Sequence, residues 1–334
     1  MRQPAGRFSI HDFEMLIVAL FWGGNFTVSK FVMAQFPALP FSGFRFMLAA
    51  GLLLLIARRA GVMKPLPRKT LLGLAGLGVV GNTLYQSLFM TGLALTTATN
   101  SAMIVAALPV TVALFGTLLG IERATRATWV GVVLGTGGVL LVVTSRGVHF
   151  HAQSLLGDIL VLLATLCWSF YTVMVRRVGA GVDALQITTI TTLAGAPGLL
   201  FLGAPGLLRQ DWGGMTPATW AGVAYAILLA LVLSFVLYNR AVQAIGSGRT
   251  AIYNCVTPLV AMVIAWLTLG EAPTGLQYVG VGLVIGGVVV SMRRSVMAYS
   301  SAPRDDPSLS AGGESRCSRP PRGPRRRPPA SPRR

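Results

Sequence analysis

Ser101 to Gly138 reads SAMIVAALPVTVALFGTLLGIERATRATWVGVVLGTGG, and Thr250 to Gly287 reads TAIYNCVTPLVAMVIAWLTLGEAPTGLQYVGVGLVIGG. Aligned without a gap, they set Pro109 on Pro258, Glu122 on Glu271, Gly131 on Gly280, and Gly137 and Gly138 on Gly286 and Gly287. A proline inside one apolar segment, a carboxylate in a short break and then a glycine-patterned apolar segment form too ordered a series to recur by chance. The chain carries an internal duplication. Each copy is almost entirely apolar for about 20 residues on either side of its break, the length an α-helix needs to cross hydrocarbon. The repeated unit is a pair of membrane-spanning helices.

Composition points the same way. Hydrophobic residues make up 53% of the 334, charged residues only 11%, and mean hydropathy is +0.67, so a water-facing shell could not be built around this much apolar side chain. The formal charge of +18 does not indicate nucleic acid, because nine of the 28 basic residues lie after Pro303 and most others fall between apolar segments. That placement is membrane topology charge. Cys167 and Cys255 sit inside apolar segments and Cys317 in a polar one, with neither metal-type spacing nor an even disulfide framework.

The run up to Asp12 holds too few apolar residues for a cleaved signal peptide, so the first apolar segment is expected to be retained. Candidate spans cover Phe13–Ala34, Ser42–Ala57, Thr70–Leu93, Ala98–Leu119, Thr128–Val143, Leu155–Val175, Gln186–Leu202, Pro217–Tyr238, Thr250–Leu269 and Leu276–Ser291. The expected fold is all-α and integral to the membrane, with ten transmembrane helices. Five spans per copy make the second copy enter from the opposite face, so the two five-helix repeats are inverted. The divisions are a cytoplasmic N-terminus over 1–12, the first repeat over 13–144, the second over 155–292, and a disordered basic cytoplasmic tail over 293–334. With the N-terminus inside, the inward loops hold Arg58, Arg59, Lys64, Arg68, Lys69, Arg123, Arg126, Arg176, Arg177, Arg240 and Arg249, against Arg146 and Arg209 outside. The positive-inside rule therefore sets both termini in the cytoplasm. The tail's arginines would be drawn to anionic lipid headgroups, and without interleaved aromatics the tail does not read as a nucleic-acid binder.

FWGGNFTVSK at Phe21–Lys30, FSGFRF at Phe41–Phe46, the two Pro-to-Glu blocks and YNRAVQAIGSGRTA at Tyr238–Ala251 resemble the EamA-type branch of the drug/metabolite transporter superfamily. The likeness covers about Phe13 to Met292. It implies ten helices in two inverted repeats, export or exchange of small metabolites such as amino acids, and a central cavity lined by spans one to four and six to nine. The second copy keeps Trp168 and Arg176 where the first has Trp22 and Lys30, but has Tyr171 for Asn25 and Thr191 for Arg45. An inherited polar site would be lopsided.

Arg45 lies inside the second span, where a charge costs about 2.5–3.5 kcal/mol and must face water, backbone or ligand. Arg45, with Lys30 at the outer end of the first span, is a candidate for attracting the carboxylate of an anionic or zwitterionic solute. Alternatively Arg45 caps helix-end carbonyls and Lys30 snorkels to the headgroups. Asn25, Tyr85, Gln86, Tyr253 and Asn254 complete the candidate substrate-binding set, with helix-to-helix hydrogen bonding as the competing role of each embedded polar residue. Asn82, Asn100, Tyr171 and Tyr238 share that choice. Pro109 and Pro258 fall near the middle of the fourth and ninth spans and are candidate hinges for alternating access, or static kinks. Glu122 and Glu271 read as caps of helix N-termini, with proton exchange as the alternative; Asp158 reads as a cap too, and Glu14 lies at the entry of the first helix. With no acid at mid-membrane depth, facilitated diffusion or exchange is expected.

The aspartate-rich pairs, serine elbows and HExxH motifs of membrane enzymes are missing from the sequence, so no catalysis is expected. His149 and His151 lack a third ligand, and neither a metal nor a cofactor is expected. A non-transporting sensor and an exporter of hydrophobic drugs are the competing functions. Gly131 with Gly135 and Gly282 with Gly286 have the spacing of close helix contacts, either within the bundle or in a homodimer. Preference for arginine over lysine fits a GC-rich bacterial genome, and hence the inner membrane.

Overall fold

The computed structural model describes residues 8–96, 101, 104, 105, 107–121, 125–144, 155–269 and 274–300. Asn100, Glu122, His149, His151, Glu271 and the tail beyond 300 lie outside the described residues. The chain divides into two compact units, Met1–Val296 and Met297–Arg334, and the packing and the site described below lie in the first.

All regular structure among the described residues is helical: α1 Ile10–Met33, α2 Ala38–Arg59, α3 Arg68–Leu95, α4 Leu108–Leu118, α5 Arg126–Thr144, α6 Leu155–Val178, α7 Ala184–Leu207, α8 Pro217–Ile245, α9 Ser247–Tyr253, α10 Val256–Leu269 and α11 Gly275–Ser300. Local chemistry sets several ends. Ser9 and Asp12 form a reciprocal capping box at the start of α1. Asp183 caps α7 through the amides of Leu185 and Gln186, and Thr216 with Pro217 opens α8. Gly246, at φ 92°, makes the turn from α8 into α9 that a side chain would resist.

Six helices, α1, α2, α3, α6, α7 and α8, are long and apolar enough to cross a membrane, and shorter apolar helices stand beside them. Their outward faces carry bare Phe201, Leu118 and Val133, side chains suited to lipid. The fourth and ninth expected spans are not continuous helices. A turn at Ala107 precedes α4, and Asn254–Cys255 separates α9 from α10. Pro109 is consequently the second residue of α4 and Pro258 the third of α10, rather than mid-helix residues. At a first turn the missing N–H leaves no hydrogen bond broken, so each proline begins a helix instead of kinking one.

Two π-helical segments interrupt α3 and α8, at Val79–Leu84 and Leu228–Leu233. They stand at the same offset, 149 positions (79 to 228), that relates Pro109 to Pro258. Such segments leave carbonyls without their usual partner, and side chains fill in. Trp22 Nε1 donates to the Ala230 carbonyl at 2.9 Å and Ser234 Oγ to that of Leu229 at 2.7 Å.

The core lies between the halves of the chain. α2 packs along α7, α3 against α6, and α1 against α8 and α10. Polar side chains stitch these contacts: Asn82 Nδ2 donates to the Thr191 carbonyl at 2.8 Å, Thr83 Oγ1 to that of Gly195 at 2.7 Å, and Tyr171 to Asn239 Oδ1 at 3.0 Å. Tyr238 shares a hydrogen bond with Thr172 at 2.7 Å. Asn82, Tyr171 and Tyr238 thus join helices, the second of the two roles open to them.

The glycines of α5 and α11 meet within this one chain. A Cβ on Gly138 would lie 2.6 Å from the Gly280 carbonyl, and one on Gly287 would lie 2.7 Å from that of Gly131. The two contacts are reciprocal under the alignment, since 138 answers to 287 and 280 to 131. Gly135 faces Cys255 and Gly287, whereas Gly282 and Gly286 have nothing among the described residues within 4 Å of such a Cβ.

Candidate functional site

The turns at Ala107 and at Asn254–Cys255 interrupt two spans on opposite sides of the site. Between them, α1 and α3 lies a partly open cavity of about 800 Å³, counting its mouth. Several lining residues are equivalents from the two halves: Trp22 and Trp168, Gln86 and Phe235, Val105 and Asn254, Leu108 and Thr257. On α1 the lining runs from Trp22 to Ser29, on α3 from Tyr85 to Leu93, and on α2 it is Arg45. The cavity therefore sits toward the end of the bundle where α1 and α3 finish and α2 begins.

Six of the eighteen described lining residues are aromatic, against 8% of the whole chain. Packing alone does not call for that enrichment, and it gives the cavity flat apolar walls. Trp168 is the hub: its ring centroid lies 5.7 Å from that of Trp22, 4.8 Å from Tyr85 and 5.4 Å from Phe235. Tyr85 continues to Phe89 at 5.6 Å, and Phe89 to Phe26 at 5.8 Å.

Against these walls stands one buried cation. Arg45 is 3% exposed; its Nη2 donates to Gln86 Oε1 at 2.7 Å, and its guanidinium carbon lies 4.8 Å from the centre of the Phe41 ring. Among the described residues no carboxylate pairs with it. Its Nε has no hydrogen-bond partner among the described residues, and neither do Asn25 Oδ1, Ser29 Oγ, Asn254 Nδ2 and Thr257 Oγ1, all buried atoms of cavity residues. Buried polar atoms are nearly always partnered, so five such atoms around one cavity leave it able to hydrogen-bond water or a polar solute. The set offers a positive charge, hydrogen-bond donors and an amide acceptor.

Of the six substrate-binding candidates, Asn25, Arg45, Tyr85, Gln86 and Asn254 line this cavity. Tyr253 does not; its hydroxyl donates to Asp12 Oδ1 at 2.7 Å. Lys30 takes neither role considered for it. Its Nζ donates to the carbonyls of Leu93 and Thr96, capping the C-terminal end of α3 where carbonyls lack intrahelical partners. Pro109 and Pro258 flank the cavity residues Leu108 and Thr257. Ser29, Thr257 and the two tryptophans were not among the candidates. Trp22 and Trp168 carry a sequence signal, being retained at equivalent positions where the neighbouring Asn25 and Arg45 are not. Ser29 and Thr257 carry none, because small hydroxyl residues are common in helix contacts.

The profile of the EamA-like transporter family matches the chain twice, over residues 10–144 and 155–293. The chain belongs to this family. The transporter is 26% identical over 280 residues to YyaM of Bacillus subtilis (strain 168), an uncharacterized transporter, covering 83% of this chain and 92% of that one. It is 28% identical over 281 residues to an uncharacterized transporter of Archaeoglobus fulgidus, covering 83% and 95%. With the uncharacterized inner membrane transporter YedA of Escherichia coli (strain K12) it shares 24% identity over 280 residues, 81% and 87% of the two chains. A crystal structure of a protein 16% identical superposes with a TM-score of 0.71 over 89% of this chain and all of that one, a shared fold.

Proposed function

We propose that the transporter is a secondary carrier for a small anionic or zwitterionic metabolite, an amino acid or similar solute, working by efflux or exchange across the bacterial inner membrane. The observation that carries this reading is Arg45: a buried guanidinium with no carboxylate partner among the described residues and an open Nε, set among unpartnered polar atoms. A guanidinium binds a carboxylate by charge-assisted hydrogen bonds, and the ring walls suit the apolar body of such a solute. The inner-membrane address is supported by the likeness to YedA and by six long apolar helices. Both termini in the cytoplasm is the orientation that the basic loops favour.

Alternating access by two inverted five-helix repeats, ten spans in all, has structural support. The π segments at matched positions, the reciprocal glycine contacts of α5 and α11 and the paired lining residues are what a two-fold relation between halves would produce. In this reading the fourth and ninth spans bend at the turns just before Pro109 and Pro258.

Counterflow in proteoliposomes with a panel of labelled amino acids and short-chain carboxylates tests the reading. Saturable exchange of at least one panel member, lost in Arg45→Gln, is expected. A protein that moves none of them is a sensor or carries another class. The aromatic share favours a flat hydrophobic drug as the second reading, and uptake of an uncharged dye that survives Arg45→Gln would establish it.

A further inference from the structure

The end of the bundle away from the cavity, where α1 begins, holds a cluster of buried charge that the cavity does not use. Asp12 is fully buried in the first turn of α1. Its Oδ2 accepts from Arg249 Nη2 at 2.8 Å and its Oδ1 from the Tyr253 hydroxyl at 2.7 Å, both on α9. Two residues on, Glu14 lies 2.8 Å from His11 Nδ1 and 3.1 Å from Arg240 Nη1 on α8. Two ion pairs thus hold the start of the first half against the second half. Asn254, the residue after Tyr253, already lines the cavity. Arg249 stands five residues before Asn254, about 7.5 Å along a helix axis. A solute leaving the cavity toward this end would meet the pair.

Arg249 has the same character as Arg45. Its side chain is 12% exposed, and its Nε has no partner among the described residues. Asp12 engages the guanidinium through the single Nη2 contact, with its other oxygen turned to Tyr253, so the pair is not the two-point fork that a free carboxylate could form. Removing one member of a buried pair leaves an uncompensated charge, so the gap between α1 and α9 opens only when something else neutralises Arg249.

We propose that Asp12 is an internal substitute for the solute's carboxylate. It shuts this end of the pathway by occupying Arg249, and Arg249 is the second carboxylate-binding residue of the pathway once α1 and α9 part. The carboxylate part rests on the solute class proposed above; the closure does not. A carrier built this way opens at this end when loaded and stays shut when empty, which favours exchange over leak.

The test uses the full chain in proteoliposomes, with Cys167, Cys255 and Cys317 replaced by serine and Asn254→Cys as reporter. A membrane-impermeant maleimide is added on the side of the chain's N-terminus. With Asp12 present, labelling is slow. Asp12→Ala is expected to label at least about a hundredfold faster, the scale of removing one member of a buried pair. Acetate, compared with chloride at equal ionic strength, is expected to slow it again by refilling the carboxylate site. Arg249→Gln should label fast and ignore acetate. The exchanged pair Asp12→Arg with Arg249→Asp should label slowly without acetate. Labelling of Asp12→Ala no faster than the parent overturns the closure, and fast labelling that acetate leaves unchanged overturns the carboxylate site. Should Asp12→Ala fail to fold, Asp12→Asn, which retains an acceptor for Tyr253, is measured against the same two outcomes. No transported solute is needed, so a failed counterflow panel counts against the solute class alone.

Discussion

Replacing Arg45 by methionine keeps much of the side chain's bulk and removes the charge, and two effects then separate. On stability, the fold loses the Gln86 hydrogen bond to a charged group, about 1.5–3 kcal/mol, and the stacking on Phe41, about 0.5–2 kcal/mol. It also loses the cost of holding a cation at membrane depth, about 2.5–3.5 kcal/mol. These terms nearly cancel, so the net change should stay within about 2 kcal/mol, and the unfolding midpoint in detergent should shift little. On binding, nothing cancels. A carboxylate deprived of its charged donor loses about 1.5–3 kcal/mol, which is roughly 10- to 150-fold in affinity. The half-saturating solute concentration in counterflow should rise by that factor while the protein melts near the parent value. An Arg45→Met variant with parental melting and parental half-saturation refutes the assignment of Arg45 to the solute.

Lys30→Met is expected to behave in the opposite sense: α3 loses a cap on two carbonyls, the melting midpoint falls by the equivalent of about 1–3 kcal/mol, and half-saturation stays unchanged. Gly138→Ala presses a methyl to 2.6 Å from the Gly280 carbonyl and should destabilise by about 1–3 kcal/mol, while Gly137→Ala, with nothing within 4 Å, should be neutral or slightly stabilising in the same melt. Trp22→Phe keeps a ring against Trp168 but leaves the Ala230 carbonyl without its donor. A loss of about 1–3 kcal/mol is expected, with solute affinity reduced less than by Trp22→Ala, read by melting and counterflow side by side.

Membrane class and helix order were legible in the chain because they depend on runs of apolar residues and on breaks, and both are local. Arg45 was legible for a related reason: a cation inside an apolar run is costly anywhere, so its position alone marks it. Lys30 shows where this stops. Its neighbours in sequence allowed snorkelling or solute contact, but the carbonyls it caps belong to α3, more than 60 residues away. Pro109 and Pro258 show it again. A proline in an apolar run reads as a kink in one helix, yet the chain breaks just before each one and lets the proline begin the next.

From the sequence alone follow the duplication, the apolar spans, the family likeness and the candidate status of Asn25, Arg45, Tyr85, Gln86 and Asn254. These follow from composition, periodicity and internal alignment, which any stretch of chain carries by itself. Only the tertiary structure decided that those five share a cavity, that Tyr253 turns instead to Asp12, that Trp22 meets its own equivalent Trp168, and that Asp12 faces Arg249 across 237 positions of chain. The reason is that hydrocarbon makes each helix stable on its own but leaves open which faces meet. That choice falls to close backbone approach and to buried polar groups in need of partners, and both are properties of pairs of helices.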